Sequence, residues 1–211
     1  MVNMKVFAAL AATLTLGIAS SAQGAVLASG GGTVTYVAEQ GESNDVRVTV
    51  DSLLGQPVYS FQDRDATPIR IGGGLCEPVN TAGVCAAGGV VRIFVNLRDR
   101  DDTVKIATGG IFGPVATANT LIGGRGVDVL MGGNGPDKLK GNNGRDSLRG
   151  RKGADIYRGG RGSDTLQTLD GAADTSISCG PGSRDLIRAD RPDPIPRNCE
   201  LGTRAKRSKK K

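Results

Sequence analysis

Short runs in which apolar and polar residues alternate with a period of two recur along most of the chain. TVTYVA (33–38) and DVRVTV (45–50) alternate cleanly, with EQGESN (39–44) between them as a turn. VYSF (58–61) and PIRI (68–71) predict two further short strands. GVVRIFVNL (89–97) is the strongest strand signal, and DTVKIA (102–107) follows the acidic turn RDRDD. Beyond the first two dozen residues no window carries a sustained helical stripe with caps. The pattern predicts an all-β chain.

From about Asn119 the alternation gives way to a fixed period. GGRGVDVLM, GGNGPDKLK, GNNGRDSLR, GRKGADIYR and GGRGSDTLQ run from Gly123 to Gln167 without insertion. Positions one and four are glycine and position six is aspartate in every block. Position eight reads Leu130, Leu139, Leu148, Tyr157, Leu166. Repetition in one register outranks local propensity and marks a solenoid. The period then loosens, with Asp174 and Asp185 continuing it at longer intervals. Upstream, Asn119 lies one period before Asp128, and Asp101 and Asp102 in DRDDTVKI resemble an isolated earlier copy.

Each position has a physical task. Six residues make a turn and three a short strand. Glycines one and four give the backbone angles closed to other residues and let coils approach. The residue at eight points between two sheets, and its neighbours at seven and nine point outward. Two nonapeptides then make one coil. Asp128, Asp146 and Asp164 stack on one edge, and Asp137 and Asp155 on the other. Rungs about 4.8 Å apart bring like charges together unless a cation separates them. The repeats contain no histidine or cysteine, and turn carbonyls with a carboxylate are the hard oxygen ligands that suit Ca²⁺. The five aspartates are the candidate metal ligands, and the thin aliphatic core implies stability that depends on the metal.

The residues outside the repeats set the context. MVNMKVFAALAATLTLGIASSAQG (1–24) has one lysine, a short apolar run and small residues before Ala25, as a cleaved export signal does. The expected product is secreted, with no transmembrane anchor. Four cysteines, Cys76, Cys85, Cys179 and Cys199, allow three pairings in an oxidising compartment. The local pairing closes two short loops, and a four-cysteine metal site is the alternative, although no pair has CxxC spacing. The chain lacks histidine, HExxH and GxSxG, so no enzyme is expected. The net charge of +6 resides in RAKRSKKK (204–211), which holds six basic residues.

The blocks resemble the hemolysin-type, or RTX, calcium-binding nonapeptide repeat, G-G-x-G-x-D-x-U-x. The resemblance implies a parallel β-roll with Ca²⁺ in the turns, an ion being shared between repeats two places apart. The matching residues here are Asp128, Asp137, Asp146, Asp155 and Asp164. The whole chain also looks like small secreted actinobacterial proteins that end in a CG-x-G-x-D…CE block. CGPGSRDLIRAD…NCE (179–200) matches that ending loosely, which supports a Cys179–Cys199 disulfide.

Departures from that pattern matter. From Gly123 to Gln167 there are nine basic residues and five acidic ones, and Asn142 and Arg151 replace glycine at position two. Nearby positive charge weakens divalent binding, so affinity below that of an acidic array is expected, with two to four ions. The alternative is a metal-independent basic solenoid that attaches to anionic cell-wall polymer or the cell surface. No aromatic platform supports specific nucleic-acid binding. The expected organisation is a signal (1–24), a small β-rich segment (25–107), a Gly-containing join (108–118), the β-roll (119–178), a disulfide-closed cap (179–200) and a basic disordered tail (201–211). The fold class is all-β: a C-terminal parallel β-roll, a two-sheet solenoid, preceded by the β-rich segment. Whether that segment is a separate domain or an irregular start of the solenoid is left open by its strand spacing.

Overall fold

A computed structural model describes residues 25–65, 69–79, 81–107, 118–182 and 184–204. The expected export signal, most of the expected join and most of the basic tail lie outside the described residues. Alternating apolar residues give β1 (Val26–Gly30), β2 (Thr33–Val37), β3 (Asp45–Leu53) and β4 (Gln56–Asp63). β5 (Arg70–Gly73), β6 (Cys76–Val79) and β7 (Ala82–Ala86) follow. Next come β8 (Arg92–Asp99), β9 (Thr103–Ile106), β10 (Ala118–Arg125), β11 (Val129–Met131), β12 (Lys138–Asn143) and β13 (Ser147–Arg149). β14 (Ile156–Arg161), β15 (Thr165–Gln167), β16 (Ser176–Ser178), β17 (Leu186–Ala189) and β18 (Glu200–Arg204) complete the chain.

These strands form two sheets. One has the order β16-β14-β12-β10-β8-β2-β1-β5, the other β18-β17-β15-β13-β11-β9-β3-β4-β7-β6. The fold is an all-β parallel β-roll. Within the repeats the chain alternates between sheets, and each strand pairs in parallel with the one a coil away. Both sheets continue in parallel from the repeats into the N-terminal region, through β10–β8–β2 and β11–β9–β3. The β-rich segment is therefore the irregular start of the same solenoid. EQGESN is not the bend of a hairpin: β2 and β3 lie in opposite sheets, and the turn carries the chain across as in every later coil.

The core is a pair of columns, one per sheet. In the first, Tyr36, Val95, Leu121, Leu139, Tyr157 and Ile177 stand in register. In the second stand Val46, Val104, Leu130, Leu148, Leu166 and Ile187. All are buried. Strands of three residues are found in the second sheet (β11, β13, β15), as the repeat predicts. In the first sheet β12 and β14 have six residues and run on through the glycines of the next block.

Both ends are closed. Antiparallel β1–β2, β3–β4, β4–β7 and β6–β7 pairings cover the N-terminal end, where Cys76 and Cys85 face each other and are joined. Cys179, just after β16, is joined to Cys199, just before β18, so one disulfide ties the last rungs of both sheets. Residues 201–204, expected to lie in a disordered tail, instead belong to β18, which pairs with β17 as far as Arg204. Each leucine of the columns is fully buried in the one core cluster. Leu148→Ala is expected to cost about 2–5 kcal/mol in a denaturant melt of the disulfide-intact protein.

Candidate metal centre

The turns place two ladders of carboxylates along the two edges of the roll. On the first edge, where the chain passes from the first sheet to the second, the rungs are Asn44, Asp102, Asp128, Asp146, Asp164 and Asp185. The backbone N–H of each residue donates to Oδ1 of the next, at 2.8 Å for Asn44 to Asp102 and 3.1 Å for Asp102 to Asp128. The three remaining steps are each 2.9 Å. In the opposite direction Val129, Ser147, Thr165 and Leu186 donate N–H to the carbonyls of Asp102, Asp128, Asp146 and Asp164, each at 2.8 Å. Every first-edge aspartate is at most 2% exposed. Its second oxygen, Oδ2, meets no donor in Asp102, Asp128, Asp146, Asp164 or Asp185.

On the second edge the rungs are Asn119, Asp137, Asp155, Asp174 and Asp193. Asn119 donates to Asp137 Oδ1 from its backbone at 2.9 Å and from its side-chain amide at 2.6 Å. Asp137 donates to Asp155 at 2.8 Å, Asp155 to Asp174 at 3.1 Å and Asp174 to Asp193 at 3.2 Å. Here Oδ2 is served by the protein in three of four cases. Gly133 N–H donates to Asp137 at 2.6 Å, and the one Tyr157 hydroxyl proton is shared between Asp155 at 3.4 Å and the Gln167 carbonyl at 3.3 Å. Asp193 accepts from the Thr168 hydroxyl and the Asp190 N–H, each at 2.7 Å. Asp174 Oδ2 has no donor.

The glycines follow from this arrangement. A Cβ at position one would sit on the carboxylate of its own block: 2.2 Å from Asp128 Oδ2 at Gly123, and 2.2 Å from Asp146 Oδ2 at Gly141. At position four the obstacle is the preceding coil. A Cβ on Gly144, which has φ +139°, would lie 1.5 Å from the Gly126 carbonyl oxygen. The edge is thus a stack of carbonyls beside a column of carboxylates. A cleft lined by Gly144, Arg145, Gly162, Ser163 and Arg184 opens onto it.

Burial raises five of the carboxyls above the usual carboxylate range, to about 8 for Asp102, about 7 for Asp128 and Asp155, and about 6 for Asp137 and Asp146. Neighbouring rungs add repulsion: Asp146 acts on Asp128, and Asp164 on Asp146. Unsatisfied buried oxygens, mutual repulsion and nearby carbonyls fit a hard divalent cation. Among the described residues no three acidic, cysteine or histidine side chains converge on one point. An ion here would therefore draw most of its ligands from backbone carbonyls.

All five aspartates expected from the repeats are buried in these ladders, three on the first edge and two on the second. The ladders also extend beyond the regular blocks, to Asp102, Asp174, Asp185 and Asp193. LRDRDDTVK (97–105) is a degenerate block, with Asp102 at position six and Val104 at eight; its arginines at two and four, Arg98 and Arg100, have positive φ. This is the isolated earlier copy that DRDDTVKI resembles in the sequence.

A two-sheet parallel roll whose turns hold buried aspartate ladders defines the class: a parallel β-roll. Residues 116–139 and 131–166 match the family of the RTX calcium-binding nonapeptide repeat, in four copies. The middle of the chain is therefore similar to an RTX repeat array. No curated protein and no solved structure matches the chain.

Two outcomes follow for the metal-free protein. The folded pKa values lie above the unfolded value of 3.8, so the fold binds more protons than the unfolded chain. The stability this gives is fully present below about pH 4 and is lost as pH rises through 6 to 8. In EGTA the melting temperature should therefore be higher at pH 5 than at pH 8. Gly141→Ala should destabilise by about 1–3 kcal/mol, since its Cβ has no room beside Asp146; unchanged melting would remove the cradle argument.

Proposed function

We propose that the chain is an exported, non-catalytic Ca²⁺-binding β-roll with a structural or adhesive role. The observation that carries this reading is the column of five buried Oδ2 atoms on the first edge with no protein donor. The RTX family of the repeats supports it, as do two disulfides that suit an oxidising compartment. Asp128, Asp146 and Asp164 would hold Ca²⁺ with carbonyls of their turns, and Asp102 and Asp185 extend that edge. Bound Ca²⁺ would supply the positive charge that lets the buried carboxylates ionise together, which converts ion binding into folding stability. The absence of histidine supports a non-catalytic role. No helix among the described residues is long and apolar enough to cross a membrane.

A second reading, attachment to an anionic polymer, is favoured by a separate feature. Arg98, Arg125, Lys140, Arg158 and Arg161 line a groove with Asn142 and Asn143, and none of the five makes an ion pair among the described residues. Salt-dependent retention on an anionic glycopolymer, lost on Arg125→Ala/Arg158→Ala substitution, is the expected result for that reading.

The deciding measurement is calorimetric titration of the purified, disulfide-intact protein with CaCl₂, with parallel far-UV circular dichroism and magnesium and EGTA controls. Heat from two or more sites and a gain in β signal are expected. Asp146→Asn should weaken binding at least ~10-fold, about 1.4 kcal/mol. Silence at millimolar calcium would leave the basic, metal-independent solenoid.

A further inference from the structure

The two ladders are not equivalent, and Arg151 marks the difference. It stands at position two of its block, where Gly124, Gly133 and Gly160 stand in three others. Its φ of +74° is a left-handed conformation that L-residues rarely adopt. The side chain reaches back along the second edge. Its Nη1 donates to the Ile106 carbonyl at 2.5 Å and the Gly132 carbonyl at 3.0 Å, and Nη2 lies 3.9 Å from Met131 Sδ. Ile106 ends β9 and Gly132 follows β11, so the half-buried guanidinium bridges the two rungs before its own. The Arg151 charge also acts on the Asp137 carboxyl, drawing it down against the effect of burial.

Turn carbonyls beside a carboxylate are the ligands a hard divalent cation takes. On this edge a guanidinium already holds them. Resting on the Ca²⁺-binding reading above, we infer that Arg151 is a built-in cation that takes the place of a metal ion on the second edge, so that the wild-type roll binds Ca²⁺ mainly along the first.

The remaining second-edge contacts agree. Gly133, Tyr157 and Thr168 supply hydrogen bonds to the carboxylate oxygens that face no donor on the first edge. Tyr157 does so from a core position where the other blocks have leucine, and its hydroxyl also accepts the Gly150 N–H at 2.9 Å. Asp174 is the exception, with a donor-less oxygen at the C-terminal side of the edge. It lies beyond Asp155, whereas Arg151 reaches toward Gly132 and Ile106.

Equilibrium dialysis of the full chain against calcium, counting bound ions per molecule, tests this. Arg151→Gly restores the residue that other blocks use, so the fold should tolerate it, and it should bind one more ion than the wild type. Arg151→Gln keeps a side chain at the same backbone angle without the charge, and should gain the ion too. A gain in the glycine variant alone would trace the effect to the backbone and overturn the inference, as would equal counts in all three proteins. Asp146→Asn should lose at least one ion and Asp155→Asn none; equal losses would show metal on both edges and also overturn it. A wild type that binds no calcium would defeat the preceding functional reading, while the difference between wild type and the Arg151 variants would still decide this one.

Discussion

Carboxylates stacked one rung apart inside a turn impose the constraint on which the rest of this molecule depends. Each repeat adds a buried carboxyl above that of the repeat two places before, and burial and repulsion both oppose its ionisation. The chain meets half of this cost locally. One oxygen of each aspartate accepts the backbone N–H of the preceding rung, which also fixes the register of the coils. The other oxygen needs a proton, a donor or a cation. Glycine at position one, the N–H ladder and the choice of residues around each turn all answer to that need.

The same constraint shapes the ends. Each ladder starts with an asparagine, Asn44 or Asn119, rather than an aspartate. An amide ends the row without adding charge, and can donate: Asn44 to Asp63 at 2.9 Å, Asn119 to Asp137 at 2.6 Å. Asp63 in turn accepts from the Tyr36 hydroxyl, which lies in the first core column. The first rung is thereby tied to both sheets. A solenoid must also stop its sheets from recruiting further strands. Antiparallel hairpins do this at one end. At the other, the Cys179–Cys199 bond holds the final coil where the period has already lengthened.

Where the period was strict, the sequence was easy to read. Five aspartates, five interior residues and the division into two edges follow from the nine-residue register alone, because a turn with two glycines permits few alternatives. The N-terminal coils were harder to see. β4 to β7 stand as an excursion between β3 and β8, so the second coil is far from the first in the chain though adjacent in the sheet. Val46 and Val104 occupy the column of Leu130 and Leu148 with no glycine signature before them. Their membership is decided by strand pairing, which alternation alone does not specify. Asp193 had no periodic signal either; it closes the second ladder through Thr168, a contact between distant residues.

Charge was the most misleading sequence feature, because its effect depends on direction. Counted along the repeats, nine basic residues against five acidic ones argue uniformly against a metal. In the fold those residues separate. Lys140 and Arg158 stand side by side on the outer surface of the first sheet, as their alternation requires, and line the groove there with Arg125 and Arg161. Water and salt screen such charges from the buried turns. Arg151 instead points along an edge, onto the carbonyls of two earlier rungs. A basic outer surface and a cation-binding edge are therefore compatible properties of one roll. Of the basic residues in the repeats, the one that bears most directly on metal binding is the one that replaced a glycine in a turn.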